Sequence, residues 1–253
     1  MKKHIPNIIT LLNLFCGCIA IVFAVNSNFT MAAIFVGLGI FFDFFDGLVA
    51  RWLKVQSDLG IQLDSLADMV TSGIVPGIVM FKLLEIAVGA PDMNDTSDAW
   101  NTALNFQGFT SSLLPILGFA ITLASGYRLA KFNIDEDQQT YFKGLPTPAN
   151  TILILSLPLI LEFQNSDLMN TTILNPLVLV AITLLSCFLL NAPVKLFALK
   201  FKPGGFKNNA SRYIFIILCL VLLIVFHFAA IPLIIAIYIA MSVIEQLVVK
   251  STP

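Results

Sequence analysis

Four aspartates lie in two pairs inside apolar segments of the chain. Asp43 and Asp46 are three residues apart in an aromatic stretch, and Asp64 and Asp68 are four residues apart in the following apolar stretch. Because residues at these spacings share one face of an α-helix, each pair presents two carboxylates on the same side. An aspartate at the centre of a membrane helix costs about 2.5–3.5 kcal/mol, so acids in such positions are candidates for a functional site.

The connection between the two acidic pairs predicts that they meet. It is short enough to make the two helices antiparallel neighbours, which brings all four carboxylates to one end of both helices. Four like charges in a medium of low dielectric constant stay ionised only when cations neutralise them. Oxygen ligands favour Mg²⁺, Mn²⁺ or Ca²⁺ over zinc. Gly47 and Ala50 share a helix face with Asp43 and Asp46, and their small side chains leave room for a ligand.

Other interpretations of these acids remain open at this point. A single acid at a helix end is commonly a solvated cap, which equally accounts for Asp58. A cation channel or a proton-coupled transporter also carries acids in its spans. Transport sites, however, tend to lie near the middle of the bilayer, whereas these acids lie at the ends of their predicted spans. That position suits a substrate that arrives from the cytosol.

The composition of the chain predicts a membrane protein. Of 253 residues, 58% are hydrophobic and 11% are charged, and the mean hydropathy of +0.91 exceeds what a soluble domain tolerates. The formal net charge of −1 provides no basic field for a polynucleotide, so we expect no nucleic-acid partner. The cysteines lie in apolar runs and indicate no disulfide framework: Cys16, Cys18, Cys187 and Cys219.

Runs of about 20 apolar residues, the length that crosses a bilayer, predict an all-α bundle of about eight transmembrane helices. The predicted spans are 7–25, 31–50, 63–88, 109–130, 147–163, 173–190, 213–228 and 231–249. We expect a single membrane domain over residues 1–253, with a catalytic core at about 5–190, a basic cytoplasmic loop at 191–212 and two further spans at 213–249.

The distribution of basic residues predicts the orientation of the bundle. Connections on one side carry them: Lys2, Lys3, Arg51, Lys54, Lys131, Lys143, Lys195, Lys200, Lys202, Lys207, Arg212 and Lys250. Because such residues remain on the cytoplasmic side, both termini and the acidic pairs are expected to face the cytoplasm. Lys82 lies near an outer end, where we expect it to snorkel to the interface beside Glu85.

The acidic segments together form a recognisable motif. From Asp46 to Asp68 the sequence reads D-G-x-x-A-R-x8-G-x3-D-x3-D, with Asp43 three residues ahead. This motif resembles the signature of the CDP-alcohol phosphotransferase family and matches it at every fixed position. The resemblance implies a polytopic helical fold and a metal-dependent transfer of a phosphoryl-linked group to an alcohol.

Three further stretches resemble the bacterial phosphatidylserine synthases within that family. They are IPNIITLLNLFCG at 5–17, YRLAKFN at 127–133 and KGLPTPAN at 143–150. This resemblance implies transfer of the phosphatidyl group of CDP-diacylglycerol to L-serine, giving phosphatidylserine and CMP. Relatives that make phosphatidylglycerophosphate or phosphatidylinositol phosphate use the same aspartates, so these alternatives stay open. Members of the family often form homodimers, and the last two spans could supply the contact.

The resemblance also implies roles for individual residues. Asp43, Asp46, Asp64 and Asp68 would be the ligands of two Mg²⁺ or Mn²⁺ ions, with Asp68 also the general base. The cytidine diphosphate would lie against Asp46, Gly47, Ala50, Arg51 and Gly60. By their level in the bundle, Arg128, Lys131 and Lys143 are candidates for binding the lipid phosphate or the serine carboxylate, with anchoring at the cytoplasmic face as the alternative. Asn13 is a further candidate for lining the substrate and lipid-phosphate pocket, with helix capping or hydrogen bonding between helices as the alternative.

Overall fold

The chain folds into a helical bundle. A computed structural model describes residues 4–89, 113–134, 142–196 and 206–251. In chain order the elements are α1 (Ile5–Val25), α2 (Phe29–Leu53), α3 (Asp58–Asp68), a π-helix (Met69–Ile74), α4 (Val75–Ala87), α5 (Leu113–Ile116), a 3₁₀ turn (Leu117–Phe119), α6 (Ala120–Ile134), β1 (Phe142–Lys143), α7 (Thr147–Phe163), α8 (Asp167–Ile173), α9 (Pro176–Asn191), β2 (Lys195–Leu196), α10 (Phe206–Phe226), a second 3₁₀ turn (His227–Ala229) and α11 (Ala230–Ser251). Lys2, Lys3, Lys200, Lys202 and the start of the predicted span 109–130 lie outside the described residues.

Several of these helices are long and apolar enough to cross a membrane. Among the described residues, five segments meet that condition: Ile5–Val25, Phe29–Leu53, Asp58–Ala87, Leu113–Ile134 and Arg212–Ile244. Helices α8 and α9, which meet at 61°, would together make a sixth. Helix α7 is apolar but shorter, with 17 residues. The prediction of a multi-pass helical membrane protein is confirmed, while the count of eight spans stays a prediction.

Helices α1 and α2 form a close antiparallel pair at the start of the bundle. The Asn28 side chain caps α2 by accepting a hydrogen bond from the Met31 backbone N–H at 3.1 Å. Small buried residues line both helices, with Ala20 and Ala24 in α1 and Ala32 in α2. Lipid supplies no hydrophobic force between membrane helices, so such small residues allow the close backbone contact that holds the pair together.

The third span is continuous but changes its helical geometry half-way. Its π-helix ends two residues before Pro76, which lies in the first turn of α4. Proline has no backbone N–H, so the carbonyl of Ser72, four residues earlier, loses its ordinary α-helical donor. The Thr151 hydroxyl of α7 lies 2.9 Å from that carbonyl and 2.9 Å from the Thr147 carbonyl of its own helix. Because the Thr147 carbonyl already has a backbone donor, the Ser72 carbonyl is the acceptor that needs the single hydroxyl proton. The Thr122 hydroxyl of α6 donates to the Gly73 carbonyl at 3.0 Å. Neighbouring helices therefore satisfy the backbone groups that the irregular turn exposes.

Lys82 and Glu85 form an ion pair inside the protein. Their Nζ and Oε2 atoms are 2.8 Å apart, and each residue is 8% exposed. The helical neighbour predicted for Lys82 is confirmed, but the expectation that Lys82 snorkels to the interface is wrong. The pairing explains the difference, because a lysine held by a carboxylate inside the bundle has its charge compensated without reaching water.

The last two helices fold back on each other. The rings of Phe215 in α10 and Tyr238 in α11 lie 5.8 Å apart, which requires an antiparallel hairpin. At its turn the Gln164 side chain donates to the Phe226 carbonyl at 2.9 Å and accepts from the Ala229 N–H at 2.8 Å. The hairpin is therefore attached to the end of α7 through its backbone, and its turn at His227–Ala229 falls where the predicted spans 213–228 and 231–249 meet.

The role of Thr151 can be tested by stability. Changing Thr151→Val removes the donor to the Ser72 carbonyl without changing side-chain volume much, and a buried unsatisfied carbonyl costs about 1–3 kcal/mol. We expect a lower thermal unfolding midpoint in detergent, by about 2–4 °C per kcal/mol. Adding Pro76→Ala should recover stability, because residue 76 then supplies the missing N–H.

The matched control for this test is Thr183→Val. Thr183 is also fully buried, but its hydroxyl donates at 2.8 Å to Leu179 of its own helix, whose carbonyl keeps its backbone donor. An equal loss of stability in both variants would contradict the proposed role of Thr151.

Candidate active site

The two acidic pairs meet at one end of the bundle. Asp43 and Asp46 come from the second half of α2, and Asp64 and Asp68 come from α3. One carboxylate oxygen from each of Asp43, Asp46 and Asp64 lies within 4.8 Å of the others. Asp68 follows Asp64 by one helical turn on the same face of α3, which places its carboxylate beside this group. The convergence predicted from the helical spacing is therefore confirmed.

The cluster concentrates negative charge in a partly enclosed position. Asp46 is 6% exposed, and Asp43, Asp64 and Asp68 are half-buried. Among the described residues, no lysine or arginine forms a salt bridge with any of these four aspartates. Acids packed this closely repel one another unless cations or protons intervene. An all-oxygen donor set of this kind fits a hard divalent cation such as Mg²⁺, Mn²⁺ or Ca²⁺.

Helix α1 supplies hydrogen-bond donors to the cluster. The Thr10 hydroxyl donates to Oδ2 of Asp46, and the Asn13 amide Nδ2 donates to Oδ1 of Asp68 at 3.3 Å. Of the two interpretations of Asn13, hydrogen bonding between helices is therefore what the structure shows. Thr10 was not predicted, although it lies three residues before Asn13 and so on the same face of α1. That shared polar face, in an otherwise apolar helix, is the signal that could have identified it.

The residues predicted to bind the nucleotide lie beside the acids. A Cβ atom placed on Gly47 would meet only the Arg51 side chain, at 4.0 Å, so the surface next to Gly47 is open. Arg51 is exposed and its Nε donates to the Gly47 carbonyl at 2.9 Å, and Ala50 is half-buried. The space beside Gly60 is more restricted than that beside Gly47, because Ser57 and α1 lie where a Cβ atom of residue 60 would point.

Gly60 has an evident structural reason to be glycine. Its N–H donates to the Ser57 hydroxyl at 3.2 Å, which caps the start of α3. A Cβ atom on Gly60 would lie 3.3 Å from Ser57 Oγ and 3.4 Å from Asn7 Oδ1, so the glycine also allows α1 and α3 to approach. Its role in nucleotide binding stays a prediction.

The candidate basic residues differ in their surroundings. Arg128 is buried and its Nη1 donates to the Leu190 carbonyl at 2.6 Å. Lys131, one turn further along α6, is exposed. Lys143 lies in β1, directly opposite Lys195 of β2 in the strand register. The sequence assigned Lys195 to the basic loop, but the structure pairs it with Lys143 across the two strands.

A pair of hydrogen bonds joins α6 to the acidic helix α3. The Ser65 hydroxyl donates to Oδ1 of Asn133 at 3.1 Å, and Asn133 Nδ2 donates back to Ser65 Oγ at 2.9 Å. Ser65 is the residue next to Asp64. The helix that carries Arg128 and Lys131 is therefore attached to the helix that carries two of the acids.

Comparison with known proteins identifies the family to which the chain belongs. A family model described as CDP-alcohol phosphatidyltransferase matches residues 3–190 of the 253, which include all four clustered aspartates. The chain belongs to this family. CDP-alcohol phosphatidyltransferases are transferases, so the channel and transporter interpretations of the acids are set aside. The hairpin of α10 and α11 lies beyond the matched residues.

Relatives of this family member come from distant organisms. A CDP-diacylglycerol–serine O-phosphatidyltransferase of Bacillus subtilis is 34% identical over 146 residues, which is 58% of this chain and 70% of that protein. The protein of the same name from Saccharomyces cerevisiae is 34% identical over 170 residues, covering 61% of this chain and 53% of the relative. That of Methanocaldococcus jannaschii is 28% identical over 226 residues, covering 89% and 86%.

Gly144 packs against both Arg128 and the end of α9 in this CDP-alcohol phosphatidyltransferase, and a substitution tests how much that packing contributes to stability. Gly144 has φ +76°, and a Cβ there would lie 2.6 Å from the Leu190 carbonyl oxygen and 2.9 Å from Arg128 Nη1. Gly144→Ala therefore adds a clash to left-handed strain of about 1–2 kcal/mol. We expect a clear fall in the unfolding midpoint in detergent.

The control is Gly89→Ala. Gly89 has φ +66°, but a Cβ atom added there would have nothing within 4 Å, so only the strain applies. If both variants unfold at the same temperature, the packing of Gly144 against Arg128 and α9 contributes nothing to stability.

Proposed function

We propose that this chain transfers the phosphatidyl group of CDP-diacylglycerol to the hydroxyl of L-serine, forming phosphatidylserine and releasing CMP. The observation that carries this proposal is the cluster of four carboxylates, in a chain whose relatives from a bacterium, a yeast and an archaeon share one enzyme name. The stretches at 5–17, 127–133 and 143–150 support serine as the acceptor alcohol.

The acids are the proposed metal ligands. Asp43, Asp46, Asp64 and Asp68 would hold two divalent cations, with Mg²⁺ or Mn²⁺ the best match to their oxygen donors and Ca²⁺ also suited. When bound, such cations neutralise the charge that develops on a transferring pyrophosphate. The absence of a basic counter-charge to the acids among the described residues supports this assignment.

Asp68 is the proposed general base. Its carboxylate would take the proton of the serine hydroxyl as the hydroxyl oxygen bonds to the phosphorus that carries diacylglycerol. The bond from that phosphorus to the CMP oxygen breaks, and CMP leaves with the electron pair. The hydrogen bond from Asn13 to one oxygen of Asp68 supports a carboxylate held in a defined orientation for this transfer.

The two substrates would contact different residues around the acids. We assign the cytidine diphosphate to Asp46, Gly47, Ala50, Arg51 and Gly60, and the open surface beside Gly47 supports a close approach of the nucleotide. Arg128, Lys131 and Lys143 would bind the lipid phosphate or the serine carboxylate, since guanidinium and ammonium groups pair with such anions. The hydrogen bonds between α6 and α3 support this arrangement, because they hold α6 beside the acids.

The same proposal includes the membrane location, the orientation, the domain organisation and the oligomeric state of the protein. The basic connections support a cytoplasmic membrane location, with both termini and the active site facing the cytoplasm. The diacylglycerol chains would then stay in the lipid leaflet during the reaction. We further propose one membrane domain, with a core at 5–190, a basic loop at 191–212 and further spans at 213–249, assembled as a homodimer.

The acceptor alcohol can be identified by a direct assay. Purified protein in detergent would receive CDP-diacylglycerol and Mn²⁺ with L-serine, glycerol 3-phosphate or inositol phosphate, and CMP release would be measured. We expect release with serine only, abolished by a chelator. Release with one of the phosphorylated alcohols alone would assign the chain to a different reaction of its family.

The metal assignment can be tested separately from the reaction. Removing a residue that hydrogen-bonds to a metal ligand typically costs about 10–100-fold in metal affinity or activity. Asp64→Asn changes a proposed ligand itself, so it should weaken Mn²⁺ binding at least that much. Binding would be followed through the EPR signal of free Mn²⁺, with CMP release measured in parallel. Asp58→Asn is the matched control, because Asp58 is an exposed acid in the first turn of the same helix. Equal Mn²⁺ affinity in the two variants would remove Asp64 from the metal site.

A further inference from the structure

Asn13 occupies a fully enclosed position between Asp68 and a residue one helical turn beyond it. Asn13 and Thr71 are both 0% exposed. The Thr71 hydroxyl donates to Asn13 Oδ1 at 2.8 Å and lies 3.2 Å from the Asn13 backbone carbonyl. On the other side of the same amide, Asn13 Nδ2 donates to Asp68 Oδ1 at 3.3 Å. Thr71, Asn13 and Asp68 thus form a continuous hydrogen-bonded chain.

The chemistry of the three groups allows one direction for this chain. An ionised carboxylate only accepts hydrogen bonds, so the amide must present its NH₂ group to Asp68. The amide oxygen then faces Thr71, whose hydroxyl has a proton to donate. The Asn13 backbone carbonyl already belongs to the hydrogen-bond ladder of α1, so the helix does not need Thr71 as a donor. The Thr71 hydroxyl therefore acts on the orientation of the Asn13 side chain.

Two glycines make room for this arrangement. A Cβ atom on Gly39 of α2 would lie 2.8 Å from both Asn13 Oδ1 and Thr71 Cγ2. A Cβ atom on Gly17 of α1 would lie 2.5 Å from Thr71 Oγ1 and 3.1 Å from its backbone nitrogen. Helices α1 and α2 and the π-helix therefore approach one another at this pair, and any side chain at either glycine would displace it.

We propose that Asn13 and Thr71 form a positioning pair, in which Thr71 fixes the Asn13 amide and Asn13 holds the Asp68 carboxylate in the orientation that accepts the proton of the alcohol. This inference rests on the proposed function, because it gives Asp68 the role of base. Neither residue touches substrate. Thr10, which donates to Asp46, is on the same face of α1 but acts on a different acid.

The test compares kcat, KM and metal binding in variants of Thr71. Thr71→Val removes the hydroxyl at nearly constant volume, and we expect kcat for CMP release to fall about 10–100-fold, as for other orienting partners of active-site ligands. The KM for both substrates should stay that of the unmodified protein, and any loss of Mn²⁺ affinity by EPR should be smaller than the loss of kcat. Thr71→Ser, which keeps the hydroxyl, should recover most of kcat. A general packing defect would instead change KM or lower stability and would not be rescued by serine.

A double-mutant cycle tests whether the two residues act as one unit. Asn13→Leu should lower kcat as Thr71→Val does, and the double variant should be no slower than Asn13→Leu alone. Independent, additive losses would overturn the positioning pair, as would a Thr71→Val enzyme with normal kcat. A loss of Mn²⁺ affinity in Thr71→Val as large as the loss of kcat would overturn it too, by placing the effect on the metal site.

The glycines provide a variant pair that leaves Asn13 and Thr71 unchanged. Gly39→Ala should lower kcat in the manner of Thr71→Val, whereas Gly37→Ala, two residues earlier with nothing within 4 Å of an added Cβ, should leave it unchanged. Equal kcat in the two variants would contradict the pair. If the unmodified protein releases CMP with another alcohol only, serine as acceptor fails, but every comparison above applies with that alcohol.

Discussion

Repulsion among the four carboxylates is the constraint on which the rest of the site depends. Two helices in an apolar environment direct their acids toward one point, where Asp43, Asp46 and Asp64 approach within 4.8 Å. The donors that α1 contributes, from Thr10 and Asn13, are neutral groups and so orient the acids without cancelling their charge. Compensation must come from protons or from ions outside the described side chains, and the proposed cations would supply it.

Holding such a cluster requires helices that approach closely and do not shift. Glycines and alanines along α1 and α2 let their backbones meet, and Gly39 brings Asn13 against Thr71. Thr71 lies three residues after Asp68, at the start of the π-helix, and both side chains bond to Asn13 of α1. The cost of that irregular turn is offset by hydroxyl groups on α6 and α7. The acidic helix is thus supported on three sides.

The parts of the chain that surround the acids are connected to them through short polar contacts. Asn133 ties α6 to Ser65 beside Asp64, and Arg128 of α6 reaches the end of α9. The pairing of β1 with β2 then places Lys143 opposite Lys195 at the same level. The C-terminal hairpin lies outside the family match, and its turn is held by Gln164. Helix α11 of the hairpin also packs against α7 and β2, so the hairpin contacts the core along its length.

Local properties of the sequence were sufficient to identify the acids and the membrane-spanning character. Spacings of three and four residues put Asp43 with Asp46 and Asp64 with Asp68 on shared helix faces, and the lengths of the apolar runs indicated a polytopic bundle. Both follow from helix geometry within one segment. The number of spans does not follow in the same way, because the bend between α8 and α9 and the shortness of α7 depend on packing.

Contacts between distant segments were decided only by the tertiary structure. The partner of Asn13 is 55 residues away at Asp68, and the donor that compensates for Pro76 is Thr151 on another helix. Lys82 pairs with Glu85 of its own helix, but only the packing of other helices around the two residues buries them. Helical periodicity states which side a residue faces but not which helix lies there, so these interactions follow from the arrangement of the bundle as a whole.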